Sequence, residues 1–221
     1  MPDASALLRQ GLRELSVPES ERAAAILDSY MDELERWNPR FGLVKYQDRE
    51  ELVVKHVLDS LSAWSIVRDA APAGGTLVDV GSGAGLPGVP LAVVLPPSWS
   101  VTLLERMARR AAFLRTCALL LRLPKVSIVQ ADFADASGSF DVVTFRAFAP
   151  LDRFLAESRG RGPRWRTMIA YKGRKERAEE EVERARALLQ APLDAEVIAL
   201  RTPFLDEDRC LVVMKAPTGV R

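Results

Sequence analysis

The chain has one histidine and two cysteines in 221 residues. A zinc centre draws on four His, Cys or carboxylate ligands at close spacing, and a disulfide scaffold on a dense set of paired cysteines. Neither can be built here, so no metal is expected. Cys117 and Cys210 each sit in an apolar run and read as buried free thiols of a reducing compartment. No run of 18 apolar residues occurs, which argues against a membrane helix. Met1 to Gln10 lacks the basic start and apolar centre of a signal peptide. The expected location is the cytoplasm. There is no internal repeat and no low-complexity tract. Nor is there an excess of one charge: the net is +1, but residues 1–70 carry 9 basic and 13 acidic side chains, and residues 71–221 carry 22 and 17. A hydrophobic content of 48% can build a core, and the length suits one α/β domain with a small appendage.

What is present is organised around Leu77-Val78-Asp79-Val80-Gly81-Ser82-Gly83-Ala84-Gly85-Leu86-Pro87-Gly88. Leu77 to Val80 reads as a short buried parallel strand. A glycine turn follows, then an apolar run from Val89 to Leu95 that can start a helix. Strand, glycine turn and helix form the first half of a nucleotide-binding βαβ unit. The dinucleotide pattern G-x-G-x-x-G needs a glycine at 86, where leucine stands, and this opposes a nicotinamide oxidoreductase. Asp79-x-Gly81-x-Gly83-x-Gly85 instead resembles motif I of class I S-adenosylmethionine methyltransferases. Val101 to Glu105 supplies the next strand, with an acid at its end to accept the ribose hydroxyls. The alternative is that Glu105 only caps the following helix.

Before this unit, Ser16-Val17-Pro18-Glu19 has the spacing of a capping box with proline in the first turn. Leu27, Tyr30, Met31 and Leu34 then recur at helical intervals, and Trp37-Asn38-Pro39 is a stop. Asp48 to Glu51 opens a second helix whose core face includes Val54, Leu58 and Leu61. Ala71 to Gly75 is a linker, so residues 1–70 are expected as a helical extension and 71–221 as the sheet domain. After the glycine loop, helices (Arg109–Leu121, Leu151–Ser158, Lys175–Leu189) alternate with strands (Lys125–Gln130, Phe140–Phe145, Arg166–Tyr171). Glu196–Arg201 and Cys210–Lys215 form a closing pair of strands. The expected fold is a doubly wound, mostly parallel Rossmann-like sheet. In such sheets the ligand lies beyond the carboxyl ends of the strands. Asp79, Glu105, the Asp132-Phe133-Ala134 turn, Arg146 and Lys172 should therefore meet at one crevice.

Several segments together resemble a known family, the bacterial methyltransferases of guanine N7 in the 530 loop of 16S ribosomal RNA (RsmG/GidB). These are Arg36-Trp37-Asn38, Lys55 to Leu61, Asp79 to Leu91, Leu103-Leu104-Glu105, Ala112-Phe113-Leu114, Phe140 to Ala149 and Lys172-Gly173. The resemblance implies an S-adenosyl-L-methionine cofactor, a monomeric enzyme acting on the small ribosomal subunit, and guanosine 527 as the target. It places Gly81 and Leu86 by the methionine and ribose of the cofactor, Phe133 and Ala134 by the adenine, and Arg146 at the closing edge. The chain departs from the family in two places. Asp132 and Ala134 stand where Arg and Glu are usual, and Gly42-Leu43 replaces Asn-Leu.

Guanine N7 carries a lone pair and no proton, so its methylation needs no general base. Alignment and electrostatics suffice. The sequence agrees by omission, with no Asn/Asp-Pro-Pro-aromatic motif after the fourth strand and no cysteine placed for attack on a pyrimidine. The catalytic candidates are Arg146 and Lys172. A guanidinium beside a sulfonium is repulsive, so Arg146 is useful only toward the cofactor carboxylate, an RNA phosphate or guanine O6. Each also has a structural reading, as a surface cation that caps the following helix, and for Lys172 the two readings are balanced. His56 and Asp59 share a helix face, and a lone helical histidine is more often structural than catalytic. Residues 146–177 hold ten basic and three acidic side chains. Arg159, Arg161, Arg164 and Arg166, with Trp165 among them, suit phosphate tracking and base stacking. The helix from Lys175 to Arg186 mixes signs and reads as solvent surface. The remaining alternatives are a different methyl acceptor and a non-catalytic RNA-binding module.

Overall fold

A computed structural model describes residues 3–189 and 193–216; the extreme ends of the two expected segments fall outside these. Helices come first: α1 (Ala4–Glu14), α2 (Ser20–Phe41), α3 (Arg49–Glu51), α4 (Asp59–Leu61) and α5 (Trp64–Asp69). Between α3 and α4 the chain stays helical but is π-wound over Leu52–Leu58. Then β1 (Thr76–Val80), α6 (Gly88–Val94), β2 (Ser100–Leu104), α7 (Ala108–Leu120), β3 (Val126–Val129), β4 (Ser139–Arg146), α8 (Leu151–Glu157), β5 (Arg164–Lys172), α9 (Lys175–Leu189), β6 (Ala195–Leu200) and β7 (Arg209–Lys215) complete the order. The seven strands lie as β3-β2-β1-β4-β5-β7-β6. The first five are parallel, and β7 is inserted antiparallel between β5 and β6. This is the Rossmann-like class I arrangement read from the sequence.

Each face of the sheet carries one hydrophobic cluster, because alternate strand residues point to opposite sides. Leu77, Leu103, Val142 and Ile169 face the layer of α1 to α7. Val78, Leu104, Val143 and Met168 face α8 and α9. The first cluster runs unbroken from Ala4 to Leu211. The five leading helices end at Asp69 and the first strand begins at Thr76, and one core joins the two parts in space.

Three local expectations change. The segment around Ser16 does not start α2. Its backbone closes α1 instead, with the Ser16 N–H donating to Arg13 O and that of Val17 to Leu12 O, both at 2.9 Å. α2 begins at Ser20 without a side-chain cap. Pro39 does not stop α2. Proline forfeits one backbone bond, but the helix runs on to Phe41 and ends at Gly42, whose φ of +56° suits glycine. Asn38 then exchanges bonds of 2.9 and 3.0 Å with the Val44 backbone and holds the turn. Third, α9 is not all solvent surface, since Ala178, Val182, Ala185 and Leu189 form a buried stripe. α1 was not legible at all. Gly11 lets it pack directly on Leu58.

Candidate active site

Beyond the carboxyl ends of β1, β4 and β5 the structure opens a cleft of about 610 Å³. One wall is the glycine loop, with Gly81, Gly83, Ala84 and Leu86. The opposite wall comes from the helical layer and strand ends, with Leu43, His56, Asp59, Arg146, Tyr171, Lys172 and Arg209. The register explains the convergence: Asp79 lies opposite Leu103 and Thr144, and Arg146 lies opposite Tyr171.

The glycine loop is shaped from below. Asp79 is fully buried; its Oδ2 accepts the Gly88 N–H at 3.0 Å, and its Oδ1 has no partner among the described residues. Burial pushes its carboxyl up to about 7, against the opposing pull of the Gly88 bond. Asp79 therefore holds the loop and does not line the cleft. Gly85 serves packing, since a Cβ there would meet Val89 and Leu114. Gly83 differs, with φ at +58° and nothing nearer to an added Cβ than the Gly81 carbonyl at 3.7 Å. Its backbone looks onto open space, a cradle that a side chain would fill. Glu105 is nearly buried, and it binds backbone N–H groups of both the glycine loop and the start of α7. Oε2 accepts the Gly83 N–H at 2.9 Å, and Oε1 accepts that of Met107, just before α7, at 2.7 Å. Each oxygen keeps a second lone pair for a ligand hydroxyl.

Two buried tyrosines stitch the helical layer to this framework. Tyr30 donates to Ala84 O, and Tyr171 to Ser60 O, each at 2.5 Å. Burial holds both phenols well above their ordinary pKa.

Arg146 is pinned. Nη1 donates to Asp59 Oδ2 at 2.9 Å and to Lys55 O at 3.3 Å, and Nη2 reaches His56 Nδ1 at 3.4 Å. Asp59 also accepts from Arg209 Nε at 3.1 Å. His56 Nε2 lies 3.0 Å from Lys45 O. A carbonyl only accepts, so Nε2 carries the proton and Nδ1 is the acceptor for Arg146. Burial, then the Arg146 charge, push the His56 pKa down. Lys172 reaches the cleft rim, but its ammonium is paired with Glu181 at 2.7 Å, which favours its structural reading.

Other expected residues stand outside the cleft lining. Phe133 is core, packed on Phe154 at 5.1 Å between ring centroids. It faces Phe148 at 6.4 Å, and that ring covers Gly81. Ala134 is half-buried and Asp132 is exposed. The arginine cluster is displaced further. Arg164 and Arg166 lie at the start of β5, about 20 Å from its cleft end at roughly 3.3 Å per residue. There they line a second cavity of about 600 Å³ with Lys215. Arg159 donates to Leu189 O, and Arg161 pairs with Asp135. Trp165 cannot stack on a base, since it is 1% exposed. Among the cleft residues, Arg110 and Arg209 had no motif to signal them, and Lys55 opened the Lys55–Leu61 segment without a role of its own. All three come from distant segments that only the fold brings together.

Both cysteines are buried and free. Among the described residues no helix is long and apolar enough to cross a membrane.

Comparison with known proteins bears on this geometry. A family model described as rRNA small subunit methyltransferase G matches residues 23–209. The chain is 38% identical to the ribosomal RNA small subunit methyltransferase G of Treponema pallidum, over 98% of this chain and 96% of that one. For the protein of the same description in Acinetobacter baumannii the identity is 37%, over 94% and 96%. Among solved structures, human methyltransferase 10 domain containing protein superposes with a TM-score of 0.59 at 13% identity, covering 90% of this chain and 98% of that one. Magnesium protoporphyrin IX methyltransferase from Synechocystis PCC 6803, with bound SAM, gives 0.56 at 18%, covering 98% and 99%. These two likenesses concern the fold.

Proposed function

The chain belongs to the rRNA small subunit methyltransferase G family, and we propose that it methylates N7 of guanosine 527 in the 530 loop of 16S rRNA, acting as a monomer in the cytoplasm on the small ribosomal subunit. It is an S-adenosylmethionine-dependent rRNA methyltransferase.

The residues present fit the cofactor. Gly83 offers bare backbone to open space, and Gly81 and Leu86 flank it. Glu105 has lone pairs to spare for ribose hydroxyls. When bound, S-adenosylmethionine supplies an electrophilic methyl group on a sulfonium.

The observation that carries the acceptor assignment is that, among the described residues, the titratable side chains lining the cleft include no free base. Asp59 accepts from Arg146 and Arg209. Both nitrogens of His56 are engaged. Tyr171 donates to a carbonyl, Lys172 is ion-paired, and Lys55 pairs with Glu51 and Glu207. Such a site cannot readily strip a proton from an amine, but it can align a lone pair that has none. Guanine N7 is that kind of acceptor. Arg146 donates toward O6 or a neighbouring phosphate and leaves N7 free to attack. Arg159, Arg161, Arg164 and Arg166 are assigned to outlying phosphates, far from the target base.

The test is methylation of small ribosomal subunits with labelled cofactor, followed by mass spectrometry of the modified nucleoside. We expect 7-methylguanosine. A product methylated on an exocyclic amine or a pyrimidine carbon overturns the reading.

A further inference from the structure

We propose that Asp59 and His56, carried by the helix spanning 49–61, are positioning residues that clamp the Arg146 guanidinium so that its uncommitted N–H donors face the acceptor, and that the clamp closes only on neutral His56. The proposal rests on the methyltransferase reading and adds to it the device that aims Arg146.

An arginine has five N–H donors. Three of those on Arg146 are taken, by Asp59, Lys55 O and His56. The Nε proton and one Nη2 proton have no partner among the described residues, and Arg146 lines the cleft with its side chain 18% exposed. Nε and Nη2 share one edge of the guanidinium, the edge that makes bidentate contacts with anions and carbonyls. What fixes this edge is not on β4. Asp59 is shared, with Oδ2 serving Arg146 and Oδ1 serving Arg209 from β7. Its 4% side-chain exposure keeps both contacts away from competing water. The π-wound turn sets His56 and Asp59 against the same guanidinium; such turns are frequent at functional sites.

His56 makes the clamp sensitive to protonation. With Nε2–H committed to Lys45 O, a second proton can go only on Nδ1, where it points at the Arg146 N–H. The imidazolium then repels the group it was holding. The charges around it are Arg146 from β4, Asp59 and Glu51 on its own helix, and Arg209 behind Asp59 from β7. The 42–48 segment contributes only the Lys45 carbonyl.

The experiment compares Arg146→Ala, Asp59→Asn, His56→Ala and His56→Asn with the unaltered enzyme. The readouts are cofactor affinity by calorimetry and turnover on ribosomal small subunits between pH 5 and 8. Asp59→Asn and His56→Ala should lower turnover by about tenfold to a hundredfold, the scale of a misplaced aligning group. Cofactor affinity should stay within about threefold, or ~0.7 kcal/mol by the tenfold-per-1.4 rule. In the unaltered enzyme, turnover should fall on the acid side of about pH 6.5, the ordinary histidine value. His56→Asn puts a carbonyl oxygen near the place of Nδ1 and cannot take a proton there. It should recover most of the rate lost in His56→Ala and show no acid limb. If Arg146→Ala is inactive while Asp59→Asn and His56→Ala turn over normally, the clamp is wrong and the methyltransferase reading stands. An acid limb retained in His56→Asn also overturns the clamp. If Arg146→Ala turns over normally, the role given to Arg146 fails, and the clamp fails with it.

Discussion

The two ends of the sheet carry cavities of nearly equal volume, about 610 and 600 Å³, and both are rich in basic side chains. They differ in what holds the charge. At the carboxyl end three cations are fixed by carboxylates: Arg146 and Arg209 by Asp59, and Lys172 by Glu181. At the amino end Arg166 is 82% exposed and touches Asp141 at 3.5 Å, and Arg164 has no ion pair among the described residues. A cation aimed by a buried partner can distinguish atoms. One left in water contributes only field, and that field is screened by salt. The sequence presents both groups alike, as arginines in a basic stretch. The fold assigns one to geometry and the other to general attraction.

The largest test of that division is at the glycine loop. Gly83→Val puts a β-branched residue at φ +58° and fills the open cradle. Cofactor binding should fall by more than about a hundredfold. Calorimetric titration reads it directly, and unchanged affinity would remove the glycine loop from the cofactor site. Next is Arg146→Ala, which should lower turnover about a hundredfold while cofactor affinity holds within a few fold. Equal losses in both would move Arg146 to the cofactor and erase the distinction between aiming charge and binding charge.

Asp79 tests the same division in the core. Its folded pKa is raised to about 7 from the usual carboxylate range. A raised pKa contributes stability that is complete below the unfolded value and is lost as pH rises through the folded one. Denaturant unfolding should therefore show Asp79→Asn gaining stability relative to the unaltered chain between about pH 4 and 7, by an order of a few kcal/mol. His56, shifted the other way, loses its contribution as pH falls, and the difference between the two chains cancels it. A constant difference across that range would mean the buried carboxyl is not the titrating group. Glu105→Gln is smaller still. A glutamine can accept from only one of the Gly83 and Met107 N–H groups, so cofactor affinity should drop by about 1–3 kcal/mol. A variant that binds as tightly would reduce Glu105 to a helix cap.

Much of the fold was legible because strand length, glycine spacing and apolar alternation are local signals. The βαβ unit at Leu77–Leu95 and the antiparallel closing pair follow from them. The misreadings came where a local pattern served a neighbour. The Ser16 segment closed α1 rather than opening α2, and Pro39 was overridden by a glycine three residues on. At the site, Gly81 and Arg146 were legible because they lie at or next to strand ends, and Gly83 and Leu86 because they belong to the glycine motif that follows β1. Arg209 and Arg110 were not, since nothing local distinguishes them from surface cations, and Lys55 stood out only as the first residue of the Lys55–Leu61 segment. Trp165 misled for a related reason. An aromatic among arginines looks like a stacking platform, but β5 alternation buried it, and no count of nearby charge could show that.

The smallest predicted effect tests the other end of the sheet. Arg164 and Arg166 stand about 20 Å from the cleft mouth, by the rise of a β-strand. They can touch only RNA that extends past the target nucleotide. If each meets one phosphate, Arg164→Ala or Arg166→Ala should weaken RNA binding a few fold and lower the slope of log affinity against log salt by about one. Turnover at saturating RNA should not change, because neither residue reaches the reacting atoms. The measurement is a salt titration of binding to small-subunit RNA, run beside turnover. A loss of turnover at saturation would mean these arginines help aim the target base. An unchanged salt slope would mean they face solvent, and that the carboxyl end of the sheet binds the RNA alone.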